Sequence, residues 1–338
     1  MPLRLLEMLI PAEKKEEAER ILADDKLARD FWYELSSEGM ITVKVIVRAE
    51  ESQNLLDTLD DNFSELENYK LVLYPLAAVM PIPEEKEGEE GGEEVKSEEE
   101  KAETPGISRE ELYADLSERC EVTGAYLTLM ALSAIVASVG VLRNDIAVII
   151  GAMVIAPVIG PNMGLSLATT TADLKLGKKS LRTIMIGIVL IFVISVLLGW
   201  FLSVDVGLEF IQTRTEVGLA DVGLALASGS AGAIALTREI STALVGVMVS
   251  IALVPTLVAS GLLLGDGYVA MAGAAAVLYL INLTCVNLAG VSTFLVEGIK
   301  PKSWWQAKKA RRLSKWAVAI WMAILALLVA LILYLQWL

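Results

Sequence analysis

Residues 151–164 read Gly-Ala-Met-Val-Ile-Ala-Pro-Val-Ile-Gly-Pro-Asn-Met-Gly, an apolar stretch interrupted by two prolines and three glycines. A helix in lipid has to close its own backbone hydrogen bonds, so non-helical backbone at membrane depth is tolerated only against protein or a water-filled cavity. A partial echo follows at Gly246-Val-Met-Val-Ser-Ile-Ala-Leu-Val-Pro255. Together the two segments predict a duplicated bundle in which two interrupted helices meet beside a passage.

The rest of the chain is consistent with a membrane setting. Hydrophobic residues make up 55% of the 338, and they concentrate after residue 122, where several stretches reach the roughly 20 apolar residues that cross about 30 Å of hydrocarbon. The net charge of −14 is largely local, because residues 84–103 hold eleven Glu against three Lys and so contribute −8. Such a tract cannot bury enough apolar surface to offset chain entropy and reads as a disordered linker. The chain has no histidine, which removes the commonest metal ligand and physiological proton carrier. Cys120 and Cys285 form neither a disulfide pattern nor metal-ligand spacing. No metal site, cofactor, catalytic residue or nucleic-acid partner is expected. The N-terminus has no charged segment followed by an apolar one, so no cleaved signal peptide is evident and internal spans direct insertion.

Four regions follow. Residues 1–81 read as a small α+β domain, ferredoxin-like or ACT-like: a strand at 3–10, a helix at 12–23, an alternating strand at 41–47, a helix carrying Leu55, Leu59 and Phe63, and a β-rich run at 69–79, with residues 27–36 available for one more helix. Its role is either regulatory ligand binding or scaffolding and oligomerisation. Residues 82–106 are the acidic linker. Residues 107–299 form a six-span core, with spans at 122–142, 146–168, 181–204, 222–237, 241–265 and 268–295, and an amphipathic helix at 107–121 running into the first. Residues 300–338 are a basic segment with Trp304 and Trp305, followed by a seventh span at 316–338. The fourth span is weak, since sixteen residues at about 1.5 Å each cover only ~24 Å.

Loop charge orients the spans. Lys175, Lys178, Lys179 and Arg182 lie between spans two and three, and seven basic residues between 300 and 315 lie between six and seven. Both loops are expected in the cytoplasm, so an even number of crossings separates them and the fourth span is a true one. The chain is thus expected in the plasma membrane of a prokaryote, with the N-terminal domain cytoplasmic and the C-terminus outside. A shift of 95 residues places Ser133 on Ser228, Arg143 on Arg238, Gly151 on Gly246 and Met153 on Met248. Copies of three spans, 122–204 and 217–295, enter from opposite sides, giving a 3+3 inverted repeat of the kind that binds ions or solutes at discontinuous helices.

The candidate site residues are few. Arg143 and Asp145 form the turn between spans one and two, and Arg238 and Glu239 the matching turn between four and five; each pair also reads as an ordinary charged surface turn. Pro157, Gly160, Pro161, Asn162 and Ser166 occupy the first break, with Thr169, Thr170, Thr171 and Asp173 after it. Ser228, Ser230, Pro255, Asn282 and Asn287 are the counterparts in the second half. A Ser or Thr in a span often bonds only the carbonyl one turn back. Asn162 stands out because its amide lies between Pro161 and Gly164, where backbone groups are freed. Gly160-xxx-Gly164 also permits close helix contact.

The segments Gly151-Ala-Met-Val-Ile-Ala-Pro-Val-Ile-Gly-Pro161, Arg238-Glu-Ile-Ser-Thr-Ala-Leu-Val-Gly246 and Ala252-Leu-Val-Pro255 resemble the DUF389 family of bacterial and archaeal hydrophobic membrane proteins. The opening Leu3-Arg-Leu-Leu-Glu-Met-Leu-Ile-Pro11 resembles members with a cytoplasmic N-terminal domain. The family carries no assigned biochemical function, so the resemblance implies no site residues. It implies a second consecutive proline in span five, where this chain has Thr256. The expected function is a transporter or channel-like protein for a small solute or ion, centred on the breaks in spans two and five. The alternative is a membrane sensor or scaffold. The expected partners are the lipid bilayer, the solute or ion, and further copies of the chain in a homo-oligomer.

Overall fold

The computed structural model describes residues 3–24, 30–35, 39–48, 51–66, 68–76, 107–215, 218–238, 242–299, 318–327 and 330. It divides into two units, Met1–Glu111 and Leu112–Leu338. The acidic linker and most of the expected seventh span lie outside the described residues.

The first unit is built from β1 (Leu3–Pro11), α1 (Lys15–Asp24), β2 (Asp30–Leu35), β3 (Met40–Arg48), α2 (Ser52–Phe63) and β4 (Lys70–Leu76). The strands form one antiparallel sheet in the order β2-β3-β1-β4. Alternate residues of a strand point to opposite faces, and the apolar alternation of β1 and β3 sends Leu6, Met8 and Ile10 with Val43, Val45 and Val47 into one core. Ala18 and Leu22 of α1 and Leu55, Leu59 and Phe63 of α2 complete it. Residues 27–36, expected to have room for a helix, contain β2 instead. Its aromatic residues alternate, so that Phe31 and Tyr33 pack on the core with their rings 5.9 Å apart edge to face, while Trp32 lies on the other side. The end of the unit is tied to α2: the Arg109 N–H donates to Gln53 Oε1 at 2.6 Å and its guanidinium to Asp57 at 3.0 Å.

Helix α3 (Arg109–Arg119) begins at the end of the first unit and continues into the second. It does not run on into the first span, as the sequence suggests. The Thr123 side chain accepts the Tyr126 N–H and starts a separate helix, α4 (Gly124–Leu142). Asp145 then caps α5 (Ile146–Ile155), and after a three-residue interruption α6 (Ile159–Thr171) leaves at 56° to it. Asp173 caps α7 (Leu174–Phe201), so Lys175, Lys178, Lys179 and Arg182 occupy the first turns of a helix rather than a loop. Then follow α8 (Glu209–Thr215), α9 (Leu219–Thr237), α10 (Thr242–Gly265) and α11 (Val269–Val296). Among the described residues four helices, α4, α7, α9 and α11, are long and apolar enough to cross a membrane, and the bent α5–α6 pair makes five. Val249–Gly265 of α10 and Val318–Leu327 are shorter apolar helical stretches.

Contacts along the helices give their relative directions. Cys120, Tyr126 and Met130 meet Ser180, Thr183 and Gly187 in that order, so α4 and α7 run parallel. Gly261 lies against Ser195, and Gly265 against Val196 and Trp200, so α7 and α10 are also parallel. Gly229 meets Val286 and Ala289 while Arg238 lies 3.5 Å from Glu297, which makes α9 parallel to α11. Within the hairpins, Ser133 bonds the Ala152 carbonyl and Ser260 that of Ala272, so α4–α5 and α10–α11 are antiparallel. The α5–α6 pair therefore carries the chain back to the end from which α4 starts, and α9 carries it back between α7 and α10.

The expected interruption of span five is absent. Helix α10 passes through Pro255 without a break. One proline removes a single N–H, and here Asn282 Nδ2 (2.8 Å) and Thr256 Oγ1 (3.2 Å) both donate to the Ala252 carbonyl on the neighbouring turn. In span two, Pro157 and Pro161 remove two donors four residues apart.

Candidate functional site

The break between α5 and α6 follows from its prolines. The residue before a proline is pushed out of the helical region, and Ala156 is extended at φ −71°, ψ 117°. The Met153 carbonyl would take the N–H that Pro157 lacks, and the Val158 N–H bonds back only to Ala156 at 2.9 Å. Pro161 falls in the first turn of α6, where no intrahelical donor is required. Gly160 and Gly164 then let α6 pack tightly: a Cβ at Gly160 would collide with Arg119, and one at Gly164 with the Cys120 Sγ and Ser180 Oγ.

An open groove of about 510 Å³ lies beside the break, with Pro157, Ile159 and Gly160 on one side, Tyr126 and Leu129 of α4 on another, and the last turns of α3 above. Arg119 there is bound by Asp115, whose two oxygens lie 2.8 and 2.9 Å from its Nε. Glu121 is 2.9 Å from Lys179, and Glu118 also lines the groove. Asp115, Glu118 and Glu121 outnumber Arg119 in the lining, which gives the groove an acidic bias.

On its inner side α6 presents Asn162, only 3% exposed. The amide donates to the Val158 carbonyl at 2.7 Å, and its oxygen accepts from Asn287 Nδ2 of α11 at 3.2 Å. Ser166 Oγ lies 3.2 Å from the Asn162 carbonyl and 3.1 Å from that of Asn287, and Asn287 also donates to Leu283. Three polar side chains thus join the broken helix to α11. Next to them is a cavity of about 20 Å³ bounded by Pro161, Asn162, Tyr126, Leu253, Val254 and Tyr279, room for about one water molecule. It joins the break to the turn of α10 before Pro255.

The remaining candidates are dispersed. Arg143 and Arg238 are the C-terminal caps of α4 and α9, positions where a cation suits the helix dipole. Asp145 is an exposed cap accepting the Ala147 and Val148 N–H groups. Ser228 donates to the Leu224 carbonyl of its own helix, and Ser230 is half-buried on α9. Asn282 is 2% exposed, with its Oδ1 lacking a hydrogen-bond partner. Glu239 lies outside the described residues. The structure therefore unites Pro157, Gly160, Pro161, Asn162 and Ser166, leaves Pro255 and Asn282 one helix away, and separates Arg143 from them by the length of α4. Sequence reasoning missed α3 and Tyr126 as walls of the groove. The signal for α3 was the Gly160-xxx-Gly164 pair, whose missing side chains make room for it.

Mostly helical, with five apolar segments of membrane-crossing character once the bent pair is included, the chain has the architecture of a helical membrane protein. It belongs to the DUF389 family. The profile of that domain of unknown function matches residues 153–288, from the end of α5 to Asn287 and its neighbour on α11. An uncharacterized protein of Methanocaldococcus jannaschii is 32% identical over 336 residues, which cover 99% of this chain and all of that protein. No solved structure matches.

Proposed function

We propose that the second unit is a transporter or channel-like protein for a small solute or ion, and that its path passes the α5–α6 break. The observation that carries this is the break itself: extended backbone at Ala156, followed by Pro157 with no N–H to offer the preceding turn, lies beside a 510 Å³ groove lined by Pro157, Ile159 and Gly160, the arrangement that lipid permits only where backbone faces protein or water. The acidic bias of the groove favours a cationic or neutral species over an anion. No catalytic step is assigned.

In this reading six crossings, α4, α5–α6, α7, α9, α10 and α11, are followed by a seventh at 316–338. The alternating directions of the described helices support the six. They also support a 3+3 inverted repeat, because exchanging α4, α5–α6 and α7 for α9, α10 and α11 maps each packed pair onto another: α4–α5 onto α9–α10, α4–α7 onto α9–α11, α6–α7 onto α10–α11, and α7–α10 onto α6–α11. The two copies have diverged at their central helix, broken in one and continuous in the other. The order β-α-β-β-α-β with sheet order β2-β3-β1-β4 supports a ferredoxin-like first unit. Lysines at the start of α7 and the basic residues of 300–315 support a cytoplasmic N-terminal side in a prokaryotic plasma membrane.

A second reading, a non-transporting sensor or scaffold, is favoured by the tight interior: the cavity beside Asn162 holds about one water, and Ser228 is satisfied by its own helix. Proteoliposome flux separates the two. Transport requires uptake above empty vesicles for at least one member of a panel of inorganic cations, anions and small metabolites, reduced by Asn162→Ala. Wild-type vesicles that match empty ones throughout the panel rule out the transport reading and leave the anchor.

A further inference from the structure

The sheet of the first unit has a face that its helices do not cover. It carries the residues alternating with the core set, and the pairing register arranges them in three rows from β2 to β4: Glu34, Thr42, Leu9, Lys70; then Trp32, Lys44, Glu7, Val72; then Asp30, Ile46, Leu5, Tyr74. Trp32, Val72 and Tyr74 are 40%, 40% and 45% exposed. Val72 and Tyr74 adjoin Leu5 and Ile46 on this face, and Trp32 stands at its other edge; large apolar side chains on an outer surface mark an interaction site.

We propose that a second copy of this chain covers the face, through the same face, about a two-fold axis running along the strands. Charge complementarity selects this arrangement. A face-to-face pair of identical sheets has two in-plane choices of axis. An axis along the strands keeps each row opposite itself in reverse order, so Glu34 meets Lys70, Trp32 meets Val72, Lys44 meets Glu7 and Ile46 meets Leu5. Every charge in the two upper rows then faces its opposite, and Trp32–Val72 and Ile46–Leu5 match apolar side chains, while Thr42 meets Leu9 and Asp30 meets Tyr74 at the margins. An axis across the strands through the middle row instead sets Lys44 on Lys44, Glu7 on Glu7 and Glu34 on Asp30, like charge against like charge. Only the first choice gives the self-complementary patch that a closed dimer needs. A bilayer surface suits the face less well, because Asp30, Glu34 and Glu7 lie among its lysines and would meet anionic headgroups. This inference is independent of what, if anything, the second unit transports.

The test uses the full chain in membranes, with two differently tagged copies co-expressed, one bearing Glu34→Cys and the other Lys70→Cys. A bis-maleimide suited to sheets packed ~10 Å apart is expected to link the two tags, and to link neither variant expressed alone, since like edges lie three strand spacings apart. Native Cys120 and Cys285 are buried. Lys44→Glu in both copies is expected to lower the linked fraction about tenfold or more by opposing Glu7 across the axis. Lys44→Glu in one copy with Glu7→Lys in the other is expected to restore it, although the Lys44→Glu chain still lacks its own ion pair with Glu34. Absence of the mixed link, equal linking of single variants, or no rescue between chains that still unfold cooperatively would each overturn the proposal.

Discussion

Two proline-bearing helices occupy the centre of the second unit, and they behave oppositely. Span two breaks at Ala156–Val158 and turns by 56°, whereas α10 carries Pro255 without interruption. Hydrophobicity does not explain the difference, since both are strongly apolar. The number of lost donors and the room for a turned helix do. Two prolines four residues apart remove successive rungs of the ladder in span two, and Gly160 and Gly164 let the redirected α6 press against α3 and α7. In α10 only one rung is missing, and Asn282 and Thr256 reinforce the neighbouring carbonyl. A proline marks where a membrane helix can break, and its neighbours decide whether it does.

The sharpest way to break that comparison is to fill the two glycine positions. Gly164→Val should be severe, because even a Cβ there meets the Cys120 sulfur and Ser180 hydroxyl at less than contact distance; overpacking of this kind costs about 1–3 kcal/mol, occasionally more. Gly246→Ala in α10 should be nearly silent, its nearest neighbour being Ile159 Cγ2 at 3.8 Å from the added carbon. Thermal unfolding in detergent checks both. Equal losses would mean that the break is not held by close approach of α6 to its neighbours.

A smaller contrast is expected at the asparagines. Asn162→Leu removes the acceptor of Asn287 Nδ2 and the donor to Val158, for an expected loss of about 1–3 kcal/mol. Asn282→Leu removes one bond to a carbonyl that keeps Thr256 and also removes an oxygen already without a partner, so it should cost about 1 kcal/mol or less. Flux through proteoliposomes should follow the same order if the break lines the path.

Much of this was legible in the sequence, and the failures have physical causes. Helix existence could be read because apolar length and caps are local properties: Asp145, Asp173 and the Pro157–Pro161 pair all lie where the chain turns. The strand β2 was missed because Asp30–Leu35 is short and its alternation of aromatic residues begins within a charged context. The second break was overread because a proline's effect depends on its surroundings, here Asn282 of α11, whose bond to the Ala252 carbonyl spans 30 residues. Likewise Asn162 could be singled out from its neighbours Pro161 and Gly164, but its bond to Asn287 spans 125 residues and no local pattern announces it.

Pro255→Ala sharpens the comparison further. The variant supplies the N–H that the Ile251 carbonyl lacks in a regular ladder, so α10 should gain about 0.5–1.5 kcal/mol with flux unchanged. Pro157→Ala alone leaves one proline, as in α10, so it should narrow the 56° bend without abolishing it. Straightening requires the double variant Pro157→Ala/Pro161→Ala, read as a lengthened distance between spin labels at the outer ends of α5 and α6.

The smallest expected effect concerns the end of the broken span. Asp173 caps α7 and accepts the Tyr113 hydroxyl at 2.9 Å. Burial pushes its pKa up, but hydrogen bonds from the Leu176 N–H, the Tyr113 hydroxyl and the Lys175 N–H outweigh this and hold it below the ordinary value. A carboxylate with a depressed folded pKa contributes stability that is fully present above the unfolded value of about 3.9 and is lost as pH falls through the folded one. Asp173→Ala should therefore cost about 1 kcal/mol at neutral pH and progressively less in acid. Midpoints of thermal unfolding of wild type and variant at pH 7 and pH 3 check this; a loss as large at pH 3 as at pH 7 would show that the ionised carboxylate adds nothing to the cap after the break.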